Sequence, residues 1–135
     1  MPSEHAVSEF EFNIKQGDVI KARLVLANFK EYSSDIRRRL LYELSKTEDT
    51  FSLCILASLF QNREELFQSY PELKNIFFSK AKDNPQFILA QLAPQTANLR
   101  AYVWVAGKLE MQEAGSYLEA LLHKVKEAYT IAYII

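Results

Sequence analysis

Glycine, proline, cysteine and histidine are all scarce in these 135 residues, at 3, 4, 1 and 2 copies. So few chain breakers leave long uninterrupted segments, which favours helices over the many tight turns a β-sandwich needs. Three glycines cannot build a glycine-rich phosphate loop, and no Gly-x-Gly-x-x-Gly run occurs. A single cysteine excludes an internal disulfide. Cys54 sits in the apolar run from Leu53 to Phe60, where a small buried hydrophobe is expected. The two histidines, His5 and His123, have no partners at Cys-x-x-Cys or His-x-x-x-His spacing, so neither a metal site nor a cofactor site is assigned.

The serines have no histidine partner in a strand-turn-helix context, and the acid pairs Glu48-Asp49 and Glu64-Glu65 fall where helix starts and turns attract carboxylates. No catalytic residue is assigned on these grounds, and the chain is expected not to be an enzyme. Also lacking are a cationic, cleavable apolar leader and any apolar run near the roughly 20 residues of a membrane helix. A soluble cytoplasmic protein without membrane contact is the expectation. With a net charge of −1, general attraction to polyanions is not encoded.

What is present is apolar: 49% of the residues are hydrophobic, enough for a substantial core. Ser8 to Lys15 alternates polar and apolar with period two, the pattern of a strand. Nothing else in the chain alternates this way. An extended or strand-like arm is therefore expected at residues 8–15, laid on the helices through Phe10, Phe12 and Ile14 or paired with the edge of another chain. This divides the chain into an N-terminal arm, 1–16, and a helical domain, 17–135.

Within the helical part, Asp18 follows Gly17 as a cap for a helix to about Lys30, and Asp35 caps another through Leu44. Asp49 or Thr50 starts a nearly all-apolar helix to about Gln61, whose two sides are both expected to be covered. Pro71 and Asn84-Pro85 open further helices. Thr96 or Asn98 caps the helix to Leu109, and a last one begins near Gln112, delayed by Gly115, with Tyr117, Leu118, Leu121 and Leu122. Starts near 18, 49, 84 and 112 define an irregular repeat of about 31 residues, a period typical of helix pairs.

On a helical wheel, Ile36, Leu40, Leu41 and Leu44 fill an arc of roughly 140°. Arg37 falls inside that arc; Arg38, Tyr42 and Lys46 fall opposite it. A cation on the apolar side must find carboxylates or carbonyls, so Arg37 is expected to be a strut between hairpins. Arg39 has Glu43 four residues on as a surface partner. Arg100 repeats the arrangement, lying between Val103 and Trp104, and is assigned the same role. Tyr102 and Val105 make the rest of that helix apolar, which places it centrally.

Ile36-Arg37 with Leu44, and Arg100 through Leu109 with Gly107, resemble the aliphatic-arginine and leucine-glycine pattern of the HEAT repeat family. The middle repeat departs from it, with Leu73-Lys74 after Pro71. The resemblance spans residues 17 to 122. It implies an all-α fold, a short right-handed armadillo-type superhelix of antiparallel helical hairpins, in which Arg37 and Arg100 belong to a ladder between repeats. It also implies macromolecular recognition.

Charge adds one asymmetry. Residues 15 to 46 hold eight Lys or Arg against four acids, an excess of +4, while the remainder carries −5. The expected function is a non-enzymatic protein-protein interaction module, an adaptor or regulatory domain in a cytoplasmic signalling or assembly complex. The outward residues Arg38, Tyr42 and Lys46 are its expected contacts with a partner protein. One alternative is a nucleic-acid-binding HEAT-like protein using the basic first hairpin, disfavoured by the isoelectric point near 6.1. Another is a lyase or glycosylase on a repeat scaffold. Ala128 to Ile135 is apolar, so this end is expected to dock, self-associate or continue into further sequence. A homodimer through the N-terminal arm or the C-terminal helix is accordingly considered.

Overall fold

A computed structural model describes residues 5–112 and 116–134, with the side chains of 110–118 and 132–134 left aside. Among the described residues all regular structure is helical: α1 (Ala6–Lys15), α2 (Val19–Ala27), α3 (Ser34–Lys46), α4 (Asp49–Asn62), α5 (Glu65–Ser69), α6 (Pro71–Asp83), α7 (Pro85–Gln91), α8 (Leu99–Gln112) and α9 (Ser116–Ile134). The chain divides into two compact units, Met1–Ile76 and Phe77–Ile135, with the division falling inside α6.

The expected strand-like arm at 8–15 is corrected to helix α1. Ala6, Val7, Phe10 and Asn13 are buried, a three-and-four spacing, while Phe12 is 59% exposed. Period-two alternation over eight residues places Phe10 and Phe12 on one strand face, yet only Phe10 finds a core. The stop signal is Gly17, at φ +69°. Asp18 N–H donates to the Asn13 carbonyl at 3.0 Å and Gly17 N–H to the Ile14 carbonyl at 3.0 Å, the paired bonds that close a helix on a left-handed residue. Asp18 then turns to the next helix, its carboxylate accepting from Lys21 N–H at 3.0 Å. One Gly-Asp doublet thus ends α1 and starts α2.

Nothing lies within 4 Å of a β-carbon placed at Gly17, so only backbone strain opposes a side chain there. Gly17→Ala is expected to lower stability by about 1–2 kcal/mol. At Gly107, inside α8 and equally unobstructed, alanine is expected to raise stability by about 0.5–1 kcal/mol. Thermal denaturation of the two variants should move in opposite directions.

In the first unit α1 packs against α2 and α3, and α2 packs against α4. Helix α4 lies deepest: from Ser52 to Phe60 every residue is buried except Cys54, which is half-buried and so departs from the expected core position. Buried Ser52 places its hydroxyl 3.1 Å from the carbonyls of Leu44 and Thr47, satisfying the α3 end at the turn into α4. The start of α3 is capped by Ser33, whose Oγ accepts from Ile36 N–H at 3.3 Å, and Asp35 sits in the first turn instead. The start of α4 is capped by Glu48, one residue before the expected Asp49. Its carboxylate accepts from the Thr50 hydroxyl and from the Phe51 and Thr50 N–H groups, which together hold it below the usual carboxylate pKa.

In the second unit α8 packs against α7 and α9. Ala101, Tyr102, Val103, Val105, Ala106 and Leu109 are buried, so α8 is covered on most of its circumference, as its apolar sequence implied. Trp104 meets Phe77 and Phe78 at ring-centroid distances of 6.0 and 5.2 Å, and Tyr102 meets Phe87 edge-on at 6.1 Å. Asn98, at φ +63°, turns the chain into α8 in a conformation asparagine tolerates. Helix α9 buries Leu121, Val125 and Ala128, one stripe at helical spacing. The expected delay of this helix at Gly115 lies outside the described residues, as do the side chains of Tyr117 and Leu118.

Candidate functional site

Helix α3 carries the residues singled out by the wheel. Its buried side is Ile36, Leu40 and Leu44, and Arg38, Tyr42 and Lys46 are exposed along the opposite side at four-residue spacing. Tyr42 is 64% exposed, the most open large hydrophobic side chain among the described residues. It is not loose: Lys46 Nζ stands 5.1 Å from the centre of its ring, a cation-π contact one helical turn on.

Lys46 is itself held by Glu43, Nζ to Oε1 3.1 Å. The hydrogen bond to Glu43 raises the lysine pKa, and the charges of Glu43 and of Glu11 on α1 add to it. Glu43 therefore takes Lys46, three residues on, in place of the Arg39 expected four residues back. An acid N-terminal to its base is the better order on a helix, which explains the choice. The face is thus an aromatic ring with Lys46 held over it and Arg38 exposed one turn before, on a helix anchored by its opposite side.

Arg37, between these outward residues and the core, is half-buried and points elsewhere. Its guanidinium donates to the Tyr32 carbonyl and lies over the Tyr70 ring, 5.2 Å from the centroid. Tyr70 in turn meets buried Phe29 edge-on at 4.9 Å. Arg37 consequently joins the start of α3 to the short 3-10 turn Phe29–Glu31 that precedes it and to the end of α5. The buried position expected of Arg100 is corrected: it is exposed. It is the second residue of α8, in the first turn, and the buried residues of the helix begin at Ala101.

Sequence reasoning missed Arg63. From the end of α4 it donates through Nη1 to the carbonyl of Ala27, the last residue of α2, at 2.8 Å. A cation at a helix C-terminus satisfies an orphan carbonyl and the helix dipole together. Its Nε pairs with Glu65, which lowers that carboxyl's pKa. The partner lies 36 residues away, so no local spacing announces it.

In the second unit, an open depression of about 390 Å³ runs along α9, lined by His123, Lys126, Glu127, Thr130 and Ile131. His123 Nε2 is 3.4 Å from Glu127 Oε1 and both are well exposed, the geometry of a surface pair. Among the described residues no group of three or more histidines, cysteines or acids could hold a metal ion. Nor is any described helix long and apolar enough to cross a membrane.

No protein-family model, curated protein or solved structure matches the chain.

Proposed function

We propose that this chain is a non-enzymatic interaction module that binds a partner protein through the outer side of α3, with Arg38, Tyr42 and Lys46 as the contacts. The observation that carries the reading is Tyr42: a ring 64% exposed, yet held beneath Lys46 on a helix whose other side is buried. An ordered aromatic loses little conformational entropy on binding, and tyrosine and arginine are enriched where interfaces derive most of their affinity. The site would act as an adaptor or regulatory surface in a cytoplasmic assembly.

A HEAT-like stack of hairpins is the architecture we assign to it. Support comes from the packing order in the first unit, where α1 meets α2 and α3 while α2 meets α4. Neighbouring hairpins in a stack pair like with like in this manner. On this view α1–α2 is a hairpin whose helices rest on α3 and α4 respectively, so the repeat begins one helix earlier than residue 17.

Replacing Arg38 and Tyr42 together with alanine should remove a defined set of proteins from an affinity capture out of native cells, with the thermal midpoint unchanged. An unaltered capture profile would rule out this face. The nucleic-acid alternative is separated by an anisotropy titration with duplex DNA at physiological salt: affinity falling steeply with salt would support it over the protein-binding reading.

A further inference from the structure

Helix α2 has a second side that its own core does not explain. Its sequence, Val19 to Ala27, contains only two polar residues, Lys21 and Arg23. With fully buried Ala22 taken as the centre of the inner side, Lys21 and Arg23 stand about 100° away on either flank, and Ile20, Leu24 and Ala27 fall within about 40° of the outward direction. No polar residue lies on the outward line of the helix, Lys21 being exposed on its flank. Ile20 is 54% and Leu24 50% exposed, one turn apart. A helix apolar all round is ordinarily covered on both sides, and this one is covered on one.

The flanks state what fits there. Both polar residues of Val19–Ala27 are basic, Lys21 and Arg23, and no acid lies within the helix, while Asp18 just before it is engaged as the cap. Lys21 is exposed and Arg23 half-buried, the Arg23 Nε being buried without an acceptor. A second copy laid on the stripe would set these cations against their own counterparts, which opposes self-pairing. An interfacial membrane helix sets a charged side against an apolar one, whereas α2 is apolar on both sides with its two cations on the flanks.

We propose that the outer side of α2 docks an amphipathic helix of a partner protein whose apolar residues, spaced three and four apart, are bordered by aspartate or glutamate. Ile20 and Leu24 pack into its apolar stripe and Lys21 and Arg23 pair with its acidic borders. This surface is separate from Arg38, Tyr42 and Lys46 and does not depend on them.

The test is an anisotropy titration of the full chain against a labelled amphipathic peptide of about 18 residues, with leucines on one side and glutamates on the rest, and against the same peptide with lysines in place of glutamates. The acidic peptide should bind at least about tenfold tighter, and its affinity should fall as salt rises from about 50 to 300 mM. Ile20→Ser with Leu24→Ser should weaken it about tenfold or more with the thermal midpoint unchanged; Lys21→Glu with Arg23→Glu should reverse the peptide preference. Arg38→Ala with Tyr42→Ala should leave this binding intact, which keeps the outcome independent of the α3 proposal. Equal binding of both peptides, or none at millimolar concentration, overturns the inference. So does capture by phosphatidylserine vesicles that requires Leu24 in the absence of peptide binding, or a dimer in light scattering that the Ile20 and Leu24 substitutions dissolve.

Discussion

Phe10→Ala is expected to lower stability by about 3–5 kcal/mol, whereas Phe12→Ala should change it by no more than about 0.5 kcal/mol. The two residues differ by two positions, and their fates separate the two structures the segment's pattern permits. In a strand they share a face and would cost similar amounts. In α1 they stand about 160° apart, Phe10 with no exposed surface and Phe12 at 59% exposure. Removing the Phe10 ring withdraws a large apolar area and leaves a cavity beside α2 and α3, the helices that pack on α1. A loss of that size is a large fraction of the about 5–15 kcal/mol of a typical domain. Urea denaturation followed by far-ultraviolet circular dichroism measures both variants. Equal losses would restore the extended arm.

That comparison also shows where the sequence spoke clearly and where it did not. Helix α4 was legible because an apolar run from Leu53 to Phe60 leaves no polar face to assign. The outward position of Arg38, Tyr42 and Lys46 was legible too, since Ile36, Leu40 and Leu44 mark the opposite side of one amphipathic helix. Helix α1 was not, because eight residues with aromatics two apart satisfy both periods over so short a window. The overlooked evidence was Gly17 two positions past Lys15, the usual place for a helix-ending glycine with a base in the last turn. The same glycine also prefaces α2 through Asp18, and that second role masks the first.

A different kind of blindness applies to long-range polar contacts. Arg63 meets Ala27, and Arg37 meets Tyr70, across chain separations that periodicity does not encode. Wheel position correctly set Arg37 apart from Arg38, yet it could not name the aromatic ring that receives it. The same geometry overstated Arg100, because a wheel treats a helix as endless while a first-turn side chain has less helix beside it. The outer side of α2 was hidden for the opposite reason. An even distribution of apolar residues around a short helix gives no direction, and only burial shows which side is covered.

Arg37→Ala is expected to lower stability by about 2–3 kcal/mol, while the adjacent Arg38→Ala stays within about 0.5 kcal/mol. The estimate for Arg37 follows from what is left behind. Its guanidinium supplies a charged donor to the Tyr32 carbonyl, and hydrogen bonds to charged groups contribute about 1.5–3 kcal/mol. Its place over the Tyr70 ring adds about 0.5–1 kcal/mol. Tyr32 itself is buried, its hydroxyl donating to the Val25 carbonyl at 2.8 Å and its pKa raised by burial, so the backbone it carries has little freedom to seek water. Arg37→Lys is the sharper variant. It retains the charge but has no planar group to lie on the ring while donating to the carbonyl, so most of the loss should remain. Chemical denaturation of the three variants gives the comparison. If lysine restores wild-type stability, Arg37 acts as a simple charge; if it does not, the guanidinium plane is what joins α3 to the preceding turn and to the end of α5.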